Sequence, residues 1–142
     1  MPAAETTFSS IMIEPRSSAP NSSATWPIFI PWTFQEENTA LDGRVETAGG
    51  LDYLRTLAIA RLYLDNVPHV QGSWLTQGAK LGSVSTAFGA DDLGSIMIEE
   101  NVVSAAGTTY RASTDDFVRT IKGLGKIPVQ RDTLYREVRV WN

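Results

Sequence analysis

The chain contains no cysteine. That excludes disulfides, thiolate catalysis and any iron–sulfur cluster held by thiolates of its own. Positive charge is also short: 12 Lys and Arg stand against 16 Asp and Glu, a net charge of −4. Nucleic-acid binding normally needs a clustered basic face, so no such partner is expected. No apolar run approaches the roughly 20 residues that span a bilayer. No basic segment followed by an apolar one opens the chain, so no secretory signal is read and a cytoplasmic location is expected. A strand followed by G-x-G-x-x-G is absent, which removes the dinucleotide fingerprint. Gly78, Gly82, Gly89 and Gly94 read instead as close packing or turns. Length is limiting as well: a barrel of eight strand and helix units takes roughly 250 residues, and 142 cannot close one.

What is present is ordinary for a globular protein, 42% hydrophobic and 20% charged residues in a length that suits one domain. Residues 1–26 are rich in Ser, Ala, Thr and Pro. They offer little to bury, and disorder is expected there, with Ile11-Met12-Ile13 the exception. Residues 27–142 carry the folded part. Ile28, Phe29 and Ile30 favour a buried strand, which passes through Pro31 and Trp32, and the polar tail Thr33, Gln35, Glu36, Glu37 and Asn38 marks where it leaves the core. In parallel α/β folds ligands sit at the carboxyl ends of strands.

Further along, Leu51 to Asp65 predicts a helix with Leu54, Leu57, Ala58, Leu62 and Asp65 at helical spacing. Asn66 and Pro68 stop it. His69 to Trp74 predicts a short strand. Thr76 to Gly89 predicts a second helix on the stripe Leu81, Val84 and Phe88, capped by Gly89. Leu93 to Ile98 reads as a strand ending in Glu99 and Glu100. Ser113 with Asp116 approximates a capping box for a third helix, burying Phe117, Val118, Ile121 and Leu124. A last strand covers Ile127 to Gln130. This alternation predicts a parallel sheet with crossover helices, the grammar of a barrel portion.

Several side chains sit where such strands deliver polar groups. Gln71 and Ser73 share one face of their strand, with Trp74 closing it. The plainer reading makes Ser73 a small core residue and packs Trp74 under a helix. His69, the lone histidine, lies at the strand's start, away from the mouth, and reads as structural. Arg131 and Asp132 follow the last strand. Neighbours of this kind usually form an exposed pair worth little, but a mouth-facing Arg131 has the planar fork that suits a carboxylate.

The stretch IPWTFQEENTAL, with LDYLRTLAIARLYLDNVPHVQGSWLTQGAKLG, AFGADDLGSIMIEENVVSAAG and VQRDTLYR, resembles the C-terminal part of the dehypoxanthine futalosine cyclase family. These are radical S-adenosylmethionine enzymes of the futalosine route to menaquinone. Two residues depart from the family pattern: Ala79 replaces a usual proline and Asp91 a usual asparagine. The resemblance implies a partial TIM-type barrel, consisting of its last three strand and helix units plus a C-terminal extension.

It also implies Glu100 as a catalytic carboxylate that bonds a sugar hydroxyl or accepts a proton, and substrate contacts from Trp32, Thr33, Gln35, Gln71, Ser73 and Arg131. The substrate would be dehypoxanthine futalosine, whose benzoate suits Arg131. No metal ligands are assigned. The family's four-iron cluster rests on a Cys-x-x-x-Cys-x-x-Cys run this chain lacks, so neither cluster nor S-adenosylmethionine is expected on it alone. The implied function is the C-terminal share of the cyclase, inactive by itself. A non-enzymatic module from the same barrel, or one subunit of a split enzyme, is the alternative. Open strand edges, with the faces of Phe29, Val70 and Ile96 lacking neighbours, imply self-association or an N-terminal partner half.

Overall fold

A computed structural model describes residues 10–13, 26–95 and 112–142. Six short strands and three helices alternate along it: β1 (Ser10–Ile13), β2 (Ile28–Phe29), α1 (Gly50–Tyr63), β3 (His69–Val70), α2 (Trp74–Ser85), β4 (Asp92–Ser95), α3 (Thr114–Gly123), β5 (Pro128–Arg131) and β6 (Glu137–Val140). Among these residues no barrel closes.

The β2 strand pairs in parallel with β3, Ile28 opposite His69 and Phe29 opposite Val70. Pro31, with no N–H to give a ladder, follows almost at once. The parallel alignment continues from β3 to β4 through a bridge between Gln71 and Asp92, and the Gly72 N–H donates to the Asp92 carbonyl at 2.7 Å. Thus β2, β3 and β4 run the same way with a helix in each connection, as the sequence predicts.

The remainder of the sheet departs from that prediction. Its order is β4-β1-β5-β6, every pair antiparallel. The β1 strand runs between β4 and β5, so β5 cannot extend the parallel series. Ile11-Met12-Ile13, the run excepted from the expected disorder, is therefore paired on both edges together with Ser10. The two isoleucines of β1 are β-branched, the side-chain type strands favour. The β6 strand answers no sequence prediction.

Two apolar clusters hold the elements. One joins Tyr53, Leu54 and Leu57 of α1 to Val70 and Ala90, with Phe29 and Leu81 against it. Val70 is fully buried, so the expectation that its face lacks neighbours is overturned; Ile96 lies outside the described residues. The other cluster joins Trp74, Leu93, Phe117 and Ile121, Trp74 meeting Phe117 edge to face at 5.3 Å between centroids.

The helices correct the predicted stripes. The inner face of α1 is Tyr53, Leu54, Leu57 and Ala60, whereas Leu62 is 85% exposed. Leu62 stands five residues past Leu57, roughly 140° round the axis. The second helix starts at Trp74, inside the stretch expected as strand. Gly78 breaks its geometry at φ 81°, and a 3₁₀ turn, Thr86–Phe88, ends it at Gly89. That break turns Thr76, Gly82 and Ser85 inward and leaves Val84 and Phe88 partly exposed. In α3 the capping box is present: the Asp116 N–H donates to Ser113 Oγ at 3.2 Å and the Ser113 N–H to Asp116 Oδ2 at 3.0 Å. Phe117 and Ile121 are buried, Leu124 is not.

Candidate functional site

Where β2 ends, the chain runs out as Pro31, Trp32, Thr33 and Phe34 and meets the first turns of α1. Between them opens a cleft of about 270 Å³, completed by Glu46, Thr47, Ala48, Asp52, Tyr53 and Thr56. Its lining carries the rings of Trp32, Phe34 and Tyr53, two carboxylates and three threonine hydroxyls. Such a surface can stack a flat ring and bond sugar hydroxyls.

Hydrogen bonds behind the wall fix Thr33. Gln35 Nε2 donates to Thr33 Oγ1 at 3.0 Å, and Gln77 Nε2 of α2 donates to the same oxygen. Tyr53 is buried in the cleft floor, and its Oη accepts the Ser73 N–H at 2.6 Å. Burial raises the Tyr53 pKa, and the Ser73 amide opposes that by stabilising the phenolate. Ser73 Oγ in turn bonds Thr76 Oγ1 at 2.9 Å.

A second polar group lies at the junction of β3, β4 and β5. Arg131 and Asp92 are both buried, and Arg131 Nε donates to Asp92 Oδ2 at 2.5 Å. Burial pushes the Asp92 carboxyl above its usual range, against the pull of Arg131 and of the Gly94 amide. The Arg131 guanidinium lies 3.8 Å over the Tyr135 ring, and His69 stacks with that ring at 4.1 Å. Tyr135 takes φ 61°, and its buried hydroxyl faces the Asp92 carboxylate without a well-aligned hydrogen bond among the described residues. Burial, and then the Asp92 charge, raises its pKa. His69 Nδ1 meets Asp91 Oδ2 at 2.8 Å, while Asp91 Oδ1 accepts from Arg61 Nη2 at 2.6 Å and from the Val70 N–H at 2.8 Å.

The sequence-predicted residues thus divide. Trp32 and Thr33 line the cleft, Gln35 braces Thr33, and Ser73 reaches the cleft only through Tyr53. Gln71 is half-buried, its amide against Gly94 and its backbone bridged to Asp92. Arg131 belongs to the other group, and the carboxylate it meets is the chain's own Asp92. The Asp132 carboxylate pairs with Arg136 at 2.6 Å, and only its backbone carbonyl accepts from Arg131, at 3.0 Å. Glu99 and Glu100 lie outside the described residues. Sequence reasoning missed Tyr53, Gln77, Asp92 and Tyr135. Asp92, a charged residue entering an apolar strand, was the one signal available.

The family model described as the CofH/MqnC C-terminal region matches residues 23–141. The chain belongs to this family. It is 52% identical over 112 residues to the cyclic dehypoxanthine futalosine synthase of Streptomyces coelicolor, covering 79% of this chain and 28% of that protein. It is 46% identical to the aminodeoxyfutalosine synthase of Thermus thermophilus, with 80% and 32% covered. More distant is a 5-amino-6-(D-ribitylamino)uracil–L-tyrosine 4-hydroxyphenyl transferase of Methanosarcina acetivorans, 36% identical with 77% and 30% covered. The chain therefore spans less than a third of the length of these relatives.

The CofH/MqnC C-terminal region, as it stands in this chain, does not fit an iron–sulfur cluster. Such clusters are held by cysteine thiolates, of which there are none. No three His, Cys, Asp or Glu among the described residues are grouped to hold a metal. No helix among them is long and apolar enough to cross a membrane.

Proposed function

We propose that the chain is the substrate-facing C-terminal share of a futalosine-pathway cyclase acting on dehypoxanthine futalosine in menaquinone biosynthesis. The 52% identity to a cyclic dehypoxanthine futalosine synthase carries this reading. On it, β2, β3 and β4 are the last three strands of a TIM-type barrel, a reading supported by their parallel order and intervening helices. The cluster and S-adenosylmethionine that such enzymes use belong to another part of the assembled enzyme, and they supply the radical chemistry.

The residues of this chain bind and orient. Trp32 stacks a flat ring of the substrate, Thr33 bonds a hydroxyl from a position set by Gln35 and Gln77, and Tyr53 closes the floor against water. Glu100 is retained as the proton-accepting carboxylate, and Gln71 and Ser73 as supports of the strand end. Arg131 could meet a substrate carboxylate only by releasing Asp92, so its share is to hold β4 to β5.

The test is a covalent chimera: residues 26–142 replace the matched region of the Streptomyces coelicolor protein, and cyclisation is assayed after anaerobic cluster loading. Activity is expected, falling at least tenfold with Trp32→Ala. A folded, cluster-loaded chimera without activity overturns the reading. It would leave the second reading, a non-enzymatic module from the same barrel.

A further inference from the structure

A threonine hydroxyl has one hydrogen to give and two lone pairs that can accept. At Thr33 both lone pairs are taken. Gln35 Nε2 donates to Thr33 Oγ1 at 3.0 Å, and Gln77 Nε2, from α2, donates to the same oxygen. A further bond orients the Gln35 amide, because its Nε2 also reaches the Thr33 carbonyl at 3.2 Å, an oxygen that can only accept. With its acceptor positions filled, the hydroxyl can act outward only as a donor. Among the described residues its hydrogen meets no acceptor, and Thr33 lines the cleft.

The other hydroxyls around the cleft are not set in this way. Thr47 and Thr56 line it too, but among the described residues no pair of amides converges on either. Tyr53 uses its oxygen on the Ser73 N–H. Thr33 is therefore the one hydroxyl of the lining whose polarity the protein decides before a ligand arrives. Its chain neighbour Trp32, 56% exposed, lines the same cleft, so a ring stacked on the indole lies within reach of the Thr33 hydrogen.

We propose that Thr33 is a specificity-determining residue. Its hydroxyl, locked as a donor by Gln35 and Gln77, selects a flat-ring ligand that carries an acceptor beside the ring, whether a carbonyl or carboxylate oxygen or a ring nitrogen. A ligand offering only an N–H at that point sets donor against donor and is disfavoured. Gln35 and Gln77 are positioning residues, since they act on the ligand only through Thr33. The proposal rests on the reading of the cleft as the place where a substrate ring stacks, and it fixes the direction of the hydroxyl contact assigned there: a substrate hydroxyl is held through its oxygen.

The test uses the full chain, isotope-labelled for NMR, and follows the Trp32 indole N–H as acetophenone or toluene is added. Both probes are flat, and only acetophenone carries an acceptor. Thr33→Val keeps the shape and removes the hydroxyl. It should lower acetophenone affinity about two- to tenfold, the range of one neutral hydrogen bond, and leave toluene unchanged. Thr33→Ser should bind both probes as the unaltered chain does. The lock is also read without altering Thr33: Gln77→Glu sets an acceptor where a donor stood and captures the Thr33 hydrogen, so acetophenone should weaken as it does with Thr33→Val. Gln77→Met captures nothing and should weaken it less. Spectral dispersion in each variant separates a lost contact from a lost fold. An equal response of the two probes to Thr33→Val, acetophenone binding that survives Gln77→Glu, or no shift with either probe overturns the proposal. Probe binding as expected beside an inactive chimera keeps Thr33 as the donor and removes the cyclase reading. An active chimera whose KM ignores Thr33→Val does the reverse.

Discussion

Arg131 donates to Asp92 at 2.5 Å with the two side chains 7% and 0% exposed, so the contact that ties β4 to β5 is a buried ion pair. Removing one partner leaves the other charged and without compensation, at a typical cost of about 3–5 kcal/mol. Arg131→Ala should therefore lower unfolding free energy by about that amount in urea titration. Arg131→Met combined with Asp92→Asn should cost less than the sum of the two single changes, since neither then strands a charge.

The same carboxylate sets a pH dependence. Its folded pKa is raised above the usual 3.8, so between that value and the folded one the native state holds a proton that the unfolded chain has released, and above the folded one the pair is charged. Stability from this group is complete below 3.8 and declines as pH rises through the folded value. Asp116 has the opposite sign. Hydrogen bonds from Ser113 lower its pKa, so its contribution is present above the usual value and is lost as pH falls through the folded one. Asp92→Asn should remove the first limb of a stability profile and Ser113→Ala should flatten the second, each leaving the other in place.

The parallel part of this architecture was legible because it is local. Apolar runs, Pro68 and the Ser113 cap mark β2, β3 and α3 without reference to anything distant. The antiparallel part was not, since pairing of β1 with β4 and β5 joins residues 80 or more positions apart. One sequence cue did exist: Ser10-Ile11-Met12-Ile13-Glu14 repeats Ser95-Ile96-Met97-Ile98-Glu99, so a segment with the composition of a strand occurs twice. Within the candidate site, Trp32 and Thr33 followed from the polar end of a strand. Tyr53 could not, because a tyrosine on the inner face of a helix looks like core until its hydroxyl is seen to hold the Ser73 amide.

That hydroxyl predicts a specific loss. Tyr53→Phe keeps the ring in its cluster but leaves the buried Ser73 N–H without its acceptor. An unpaired buried donor costs about 1–3 kcal/mol. Thermal and urea unfolding should both register the loss, and hydrogen exchange at Ser73 should accelerate. Unchanged stability would mean that another acceptor reaches the amide.

Gly72 is constrained by contact rather than by dihedral angle. A Cβ placed there would stand 2.1 Å from Ser85 Oγ, which is itself bonded to the Gly82 carbonyl at 2.6 Å, and 3.2 Å from that carbonyl. Gly72→Ala must push α2 away from the strand end, at a cost of about 1–3 kcal/mol for an overpacked core. Ser85→Ala removes the nearest atom, so the double variant should recover part of that loss.

The last prediction concerns β1, which is hemmed in by β4 and β5. A strand paired on both edges spends its amides on its neighbours, and proline has none to give. Met12→Pro should therefore free β1 and expose the facing edges of β4 and β5. Hydrogen exchange at Val129 and Gln130, the partners of Met12 and Ile11, should speed up markedly. Exchange in α1, which packs on Val70 and Ala90, should not change. Equal acceleration in both places would mean that the sheet and the α1 cluster open as one cooperative unit. In that case β1 would be a condition of the whole fold and not a local seal on the edge of β4.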